Sequence, residues 1–171
     1  MSKSHPKEVS KSHPQAIIDA LIDGDMKVLE QYVSKDNVNL VDERGYTLLS
    51  RAATAGDLNM KVVRLLIKRG ADVNVRLREG WTLLHSAAHL LQKDLALVLL
   101  SAGCDPNAVD SAGQTALVKV LMALNPKKEL IKLLIKYRAD PDAKGEGSES
   151  AKEIAAQMGQ MDLFPARWGS N

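Results

Sequence analysis

Four histidines and one cysteine are the residues of this chain that could bind a metal ion or supply a soft nucleophile. His85 and His89 lie four positions apart, so they would share one face of a helix, as pairs of zinc-binding histidines do. A zinc site needs at least a third ligand, and no Cys, Asp or Glu follows at the spacing of a known motif. His5 and His13 lie in a polar N-terminal stretch and also lack a third ligand nearby. We therefore expect no metal site.

The sequence also lacks the common catalytic motifs. It contains no G-x-S-x-G, no H-E-x-x-H and no paired cysteines, and residues 145–148 do not form a phosphate-binding loop, which requires G-x-x-x-x-G-K-[ST]. Without a nucleophile, a base and an orienting group at motif spacing, nothing favours turnover of a small-molecule substrate. We expect a protein that is not an enzyme and that needs no cofactor.

A unit of 33 to 35 residues recurs along the chain. Residues 45–53 match residues 80–88, a shorter copy follows at 113–117, and a weaker one lies at 150–156. The trailing motif Gly-Ala-Asp-Val-Asn at 70–74 recurs at 103–107 and 138–142. Cys104 takes the position that alanine has in the other two copies, which predicts a packed thiol. Two sets of anchors with the same offsets establish a repeat architecture.

This pattern resembles the ankyrin repeat, a β-turn followed by two helices with a T-P-L-H-x-A signature. The resemblance is imperfect, because Leu48, Leu83 and Ala116 stand at the proline position and only His85 keeps the histidine. It implies an all-α fold, an α-solenoid of stacked helix-turn-helix repeats with β-turn or hairpin loops. It also implies that His85 hydrogen-bonds the backbone of a neighbouring turn.

The offsets also predict the domain organisation. Two short helices cannot bury their apolar faces alone, so each repeat must pack on the next, and the end repeats must act as caps. We expect a flexible N-terminal tail at 1–13, a repeat domain over 14–164 and a C-terminal tail at 165–171. Within it we predict an N-terminal cap at 14–41, repeats at 42–76, 77–109 and 110–144, and a C-terminal cap at 145–164.

Proteins of this family bind partners on a concave face made by turn tips and first helices. Tyr46 and Trp81 hold the same register at the turn tips of two adjacent repeats, where a packing role along the turns is the alternative to binding. Aromatic and arginine side chains contribute most of the energy at protein interfaces. The predicted partner-binding residues are Arg44, Tyr46, Arg78, Trp81, His89 and Gln114.

We predict a protein–protein interaction module that acts as an inhibitor, a toxin-immunity protein or an adaptor, because no fused domain is visible in the sequence. The alternative is nucleic-acid binding through the middle of the chain, where residues 44–138 carry fifteen basic against seven acidic residues. Turn-tip arginines could contact phosphates, but the sequence pI of about 8.6 is modest and most bases fall on second helices. Those bases either steer an acidic partner or form solvated helix faces.

Composition limits the remaining possibilities. The hydrophobic share of 45% suits a globular domain, and the longest apolar run, at 95–100, is too short to cross a bilayer. The first fifteen residues are polar and do not form a secretory signal. A single cysteine excludes an internal disulfide. We expect a cytoplasmic protein that is monomeric on its own, with a protein partner and no membrane contact.

Overall fold

A computed structural model of the chain describes residues 14–56 and 58–164, and the predictions for the two tails lie outside these residues. The structure divides into two compact units, with unit 1 reaching Ala71 and unit 2 beginning at Asp72. Neither unit contains a β-strand within the described ranges, and both are built from short helices joined by turns. No described helix has both the length and the apolar character that crossing a bilayer requires.

Among its described residues, unit 1 contains four α-helices: α1 (Pro14–Asp23), α2 (Met26–Tyr32), α3 (Leu48–Thr54) and α4 (Met60–Lys68). The pairs α1–α2 and α3–α4 each form a helical hairpin, α1 packs on α3, and α2 packs on α4. Leu29, Leu49 and Leu66 fill the space between them and are fully buried. The two hairpins therefore bury against each other the apolar faces that neither could bury alone.

The part of unit 2 that the structure describes contains five α-helices: α5 (Leu83–His89), α6 (Lys93–Ser101), α7 (Ala116–Leu121), α8 (Lys128–Lys136) and α9 (Ala151–Gln157). The row α5–α7–α9 and the row α6–α8 run along opposite sides of this unit. Leu84, Leu99 and Leu134 belong to its buried core. Ala87 and Ala88 are completely buried, and their small side chains allow the neighbouring helices to approach closely.

Threonine or serine residues begin α3 in unit 1 and α5, α7 and α9 in unit 2, at the predicted register. The side-chain oxygens of Thr47, Thr82, Thr115 and Ser150 each accept a hydrogen bond from the backbone N–H three residues later. This satisfies an N–H group that the first helical turn leaves unpaired. The three threonines also form isolated antiparallel bridges that close the preceding turn, with Val41, Arg76 and Val109. The predicted all-α fold of helical repeats with hairpin loops is confirmed.

Asparagines connect successive loops within each unit. In unit 2 the Asn74 side chain accepts from Asp105 N at 2.9 Å, and the Asn107 side chain accepts from Asp140 N at 2.7 Å. In unit 1 the Asn39 amide donates to the Gly70 carbonyl at 3.1 Å. The recurring asparagine of the sequence pattern therefore bonds each repeat to the following one. The residue bounds of the predicted repeats and caps remain predictions.

Candidate functional site

The indole of Trp81 is the centre of a cluster in unit 2. Trp81 directly follows the 3₁₀ turn Arg78–Gly80 and is half-buried. The Lys119 ammonium lies 4.8 Å from the ring centroid, and the His89 ring meets the indole edge-on at 5.4 Å between centroids. Cation–π and edge-to-face contacts are both favourable arrangements for an indole. Side chains of α5 and α7 thus hold the ring in one orientation.

Lys119 is itself fixed by two acceptors from its own repeat. Its Nζ lies 2.7 Å from an Asp110 carboxylate oxygen and 2.7 Å from Gln114 Oε1. Burial would raise the pKa of Asp110, but the Lys119 ammonium and the backbone N–H groups of Gln114 and Ala112 hold that pKa below its ordinary value. The ion pair is almost completely shielded from solvent, with 12% and 2% of the two side chains exposed. It is therefore a neutralised pair rather than a source of free positive charge.

An open groove runs beside the indole, with a volume of about 590 Å³. Met122 and Leu124 stand out among its walls because 58% of Met122 and all of Leu124 are exposed to solvent. Exposed apolar side chains next to a fixed aromatic ring are typical of binding surfaces. We call this feature the Trp81 groove, and its described lining is Trp81, His89, Leu91, Gln114, Lys119, Met122, Ala123, Leu124 and Asn125.

Unit 1 carries a related cluster around Tyr46. The Arg51 guanidinium lies 5.7 Å from the Tyr46 ring centroid and pairs with the Asp42 carboxylate. Asp42 also accepts from the backbone N–H groups of Arg44 at 2.8 Å and Tyr46 at 3.0 Å. Burial acts to raise the pKa of Asp42, but these hydrogen bonds and the Arg51 charge lower it overall. The half-buried Tyr46 ring and the exposed Arg44 remain accessible in this unit.

The structure brings three of the predicted partner-binding residues together in unit 2. Trp81, His89 and Gln114 all line the Trp81 groove, and Arg78 is exposed in the turn directly before Trp81. Arg44 and Tyr46 belong to unit 1. That Tyr46 and Trp81 contact one partner side by side stays a prediction.

Sequence reasoning did not assign partners to the two aromatic rings. The signal was present, because Asp42 precedes Arg51 by nine residues and Asp110 precedes Lys119 by the same nine. This spacing runs from a turn to the following first helix. The difference is that Arg51 contacts an aromatic ring of its own repeat, whereas Lys119 contacts Trp81 of the preceding one.

His85 has the structural role that the family resemblance implies. It is completely buried; its Nδ1 accepts from Thr82 N at 3.1 Å, and its Nε2 donates to the Gln114 carbonyl at 2.9 Å. Because a backbone N–H can only donate, Nδ1 must be the unprotonated nitrogen. Burial lowers the pKa of His85, although the Gln114 carbonyl opposes the shift. A neutral ring thus connects two successive turns.

Two further sequence predictions concern reactive and basic groups. Cys104 is buried, and burial raises the pKa of its thiol to about 12, as a packed cysteine requires.

The second-helix bases are exposed: Lys61, Arg64, Lys68, Lys128, Lys132 and Lys136. Arg76, one of the arginines that could contact phosphate, donates to the carbonyls of Gly80 at 2.8 Å and Val109 at 2.6 Å. Within the described part of the chain, no three His, Cys, Asp or Glu residues are placed to hold a metal ion.

Helical hairpins with capped first helices, hairpin turn tips and a binding-type surface on the first-helix row define a helical repeat protein. The family model described as ankyrin repeats (3 copies) matches residues 17–110. The chain belongs to the ankyrin repeat family. Ankyrin repeats are protein–protein interaction modules, and this chain contains that module.

Several curated proteins are similar to the chain. Ankyrin repeat and SAM domain-containing protein 6 of Rattus norvegicus is 33% identical over 132 residues, which are 75% of this chain and 15% of that protein. Notch-regulated ankyrin repeat-containing protein of Xenopus tropicalis is 32% identical over 107 residues, or 59% of this chain and 92% of that protein. Protein phosphatase 1 regulatory subunit 27 of Homo sapiens is 33% identical over 98 residues, which are 56% of this chain and 62% of that protein. The chain thus spans only a small part of the first of these relatives.

Proposed function

We propose that this chain binds a protein partner through the Trp81 groove and regulates that partner by occupying its surface, without catalysis. The single observation that carries the proposal is the orientation of Trp81, which is held by Lys119 at 4.8 Å and His89 at 5.4 Å beside exposed apolar side chains. A ring that is already fixed loses little conformational freedom on binding, so more of its contact energy becomes affinity.

The relatives support a regulatory mode of action. One of them carries the name of a regulatory subunit of protein phosphatase 1, and a regulatory subunit acts by contact with another protein. An inhibitor and an adaptor both fit such contact, and both require a rigid surface rather than a reactive group. Of the predicted roles, we propose the inhibitor, because the groove presents a compact apolar surface that a partner's exposed segment would occupy.

A comparison of retained proteins tests this function. The full chain, Trp81→Ala and the matched variant Leu97→Ala, which alters an exposed apolar residue of α6, are used as baits in extract of the source cells. At least one protein should be retained by the parent chain and by Leu97→Ala but lost from Trp81→Ala. An interface hot spot contributes about 2 kcal/mol or more, so its affinity for Trp81→Ala should fall at least about 30-fold.

Circular dichroism of both variants shows whether they keep the helical content of the parent. Identical sets of retained proteins from the folded variants would contradict the use of the Trp81 groove. Tyr46→Ala in unit 1 measures separately whether the second aromatic residue contributes. An effect of Tyr46→Ala alone would transfer the proposed site to unit 1.

A further inference from the structure

A second groove adjoins the Trp81 groove in unit 2. Its described lining includes Gln114 and Met122, which belong to both grooves, together with Ser148, Glu149, Gln157 and Met158. Its volume is also about 590 Å³. We call it the Glu149 groove. The shared residues show that one extended ligand can occupy both grooves without leaving the surface.

The two grooves differ in charge. Lys119 is the charged residue in the described lining of the Trp81 groove, and Asp110 neutralises it. Glu149 is the charged residue in the described lining of the Glu149 groove, where it is exposed and accepts a hydrogen bond from Gln157. The surface therefore combines a neutral, apolar half with an anionic half.

The anionic charge is not compensated by nearby lysines. Lys144 pairs with Glu153 at 2.6 Å, and Lys152 lies 3.8 Å from Asp142. These pairs leave Glu149 and the exposed Glu146, in the same loop, without a cation partner among the residues that the structure describes. Near Trp81, by contrast, Arg76 and Arg78 are exposed. A basic side chain is consequently favoured at the Glu149 end and disfavoured at the Trp81 end.

The distance between the two ends follows from the helix row. Trp81 precedes α5 and Glu149 precedes α9, and α7 packs between these two helices. Neighbouring packed helices lie about 8–10 Å apart, so the two ends are separated by roughly 20 Å. An extended chain covers this span in about six residues, at about 3.3 Å per residue.

We propose that the bound part of the partner is an extended segment with a bulky apolar side chain and a lysine or arginine about six residues apart. The apolar side chain occupies the Trp81 groove, and the basic side chain pairs with Glu149. This inference rests on the proposed function, and it adds the chemistry of the bound segment and the spacing of its two anchoring side chains.

The test uses a displayed library of random 12-residue peptides selected on the full chain. Selection on the parent should enrich one Leu, Met, Phe or Trp together with a Lys or Arg about six positions away. Selection on Glu149→Lys should replace that basic residue with Asp or Glu, because the variant reverses the local charge. The matched control Glu129→Lys, an exposed residue of α8, should enrich the same peptides as the parent.

Affinities of one enriched peptide complete the test. Exposed ion pairs contribute up to about 1 kcal/mol, so Glu149→Gln should weaken binding about two- to fivefold. The same loss should follow from replacing the peptide's basic residue with Gln, and the two changes together should cost no more than either alone. Trp81→Ala should remove binding of the peptide.

The outcomes separate this inference from the proposed function. Peptides that require Trp81 but show no basic preference, or the same preference on Glu149→Lys, overturn the proposed basic residue and its pairing with Glu149, and leave the Trp81 groove as the site. Peptides that bind Trp81→Ala as well as the parent overturn both. An absence of enrichment on the parent overturns the inference that a short segment is the bound element.

Discussion

At the scale of residues, one ammonium group connects the side chains of the Trp81 groove. Lys119 lies 4.8 Å from the Trp81 ring centroid and 2.7 Å from both Asp110 and Gln114. Trp81 belongs to one repeat, and Asp110 and Gln114 belong to the next one, which also contains Lys119. The orientation of the indole thus depends on a lysine that is itself almost buried, and its contribution can be tested by removing the charge.

Replacing Lys119 with Met should lower the free energy of unfolding by about 2 kcal/mol, because Asp110 loses its charged partner in a buried place. Lys132→Met on α8, where the lysine is exposed, should change it by no more than about 0.5 kcal/mol. Urea unfolding of the full chain followed by circular dichroism measures both. Equal effects of the two substitutions would show that the Lys119–Asp110 pair does not stabilise the turn.

At the scale of elements, much of the fold could be predicted because the repeat places the same residue types at the same offsets. Thr47, Thr82 and Thr115 begin α3, α5 and α7, and the serine of the weaker copy, Ser150, begins α9. The contact between Lys119 and Trp81 could not be predicted, since it depends on how far two side chains reach between repeats. Arg138 shows a second limit: it takes the left-handed conformation at φ 68°, where Gly70 and Gly103 stand in the earlier copies. The backbone of the repeat determines that conformation even where the residue type does not favour it.

The connection through His85 should make the stability of the chain depend on pH. Burial lowers the pKa of His85 below its ordinary 6.5 in the folded chain, so the unfolded chain takes up the proton first as the pH falls. The free energy of unfolding should therefore decrease from pH 7 to pH 5.5, above the range in which the carboxylates of Asp42, Asp110 and Glu153 titrate.

Urea unfolding at these two pH values checks this expectation. His85→Gln should be less stable than the parent at pH 7 but should lose less stability on acidification. His89→Gln, at an exposed position, should keep the pH dependence of the parent. The same decrease in the free energy of unfolding between these pH values in all three proteins would show that protonation of His85 does not oppose folding.

Two glycines with positive φ differ in the space around them, so substituting each with alanine separates the cost of backbone strain from the cost of a steric clash. A Cβ at Gly103, φ 86°, would meet no atom within 4 Å, whereas a Cβ at Gly113, φ 72°, would lie 2.7 Å from Ser148 Oγ and 3.0 Å from Gly145 Cα. Gly103→Ala should cost about 1 kcal/mol for the left-handed conformation alone. Gly113→Ala should cost about 2 kcal/mol more because the neighbouring loop must move. Thermal unfolding of the pair measures the difference, and equal costs would contradict a close approach of the two loops.

At the scale of the whole molecule, each unit depends on contacts between neighbouring repeats. The family match over residues 17–110 reaches both units, while α7, α8 and α9 lie beyond it. α9 nevertheless packs on α7 and buries Ala151 and Ala155 completely. In a repeat protein each unit stabilises mainly its neighbours, so damage should remain local.

Ala155→Asp should destabilise unit 2 by about 3 kcal/mol or more, because it places a charge without a partner in a fully buried position. Ala156→Asp, one residue further along the same helix and exposed, should have little effect. Hydrogen exchange read by mass spectrometry should show earlier exchange in α7 and α9 for the first variant, with α1 and α2 unchanged. Uniform loss of protection over the whole chain would contradict local stabilisation.

The ammonium group beside Trp81 also has an optical consequence. Indole emission responds to nearby charge and to solvent, and this chain has one other tryptophan, Trp168. With Trp168 replaced by phenylalanine, the fluorescence of Trp81 alone reports the state of the groove. A ligand that covers the ring, or a substitution that removes Lys119, then changes the emission directly, so the chain contains its own probe for titrating any partner.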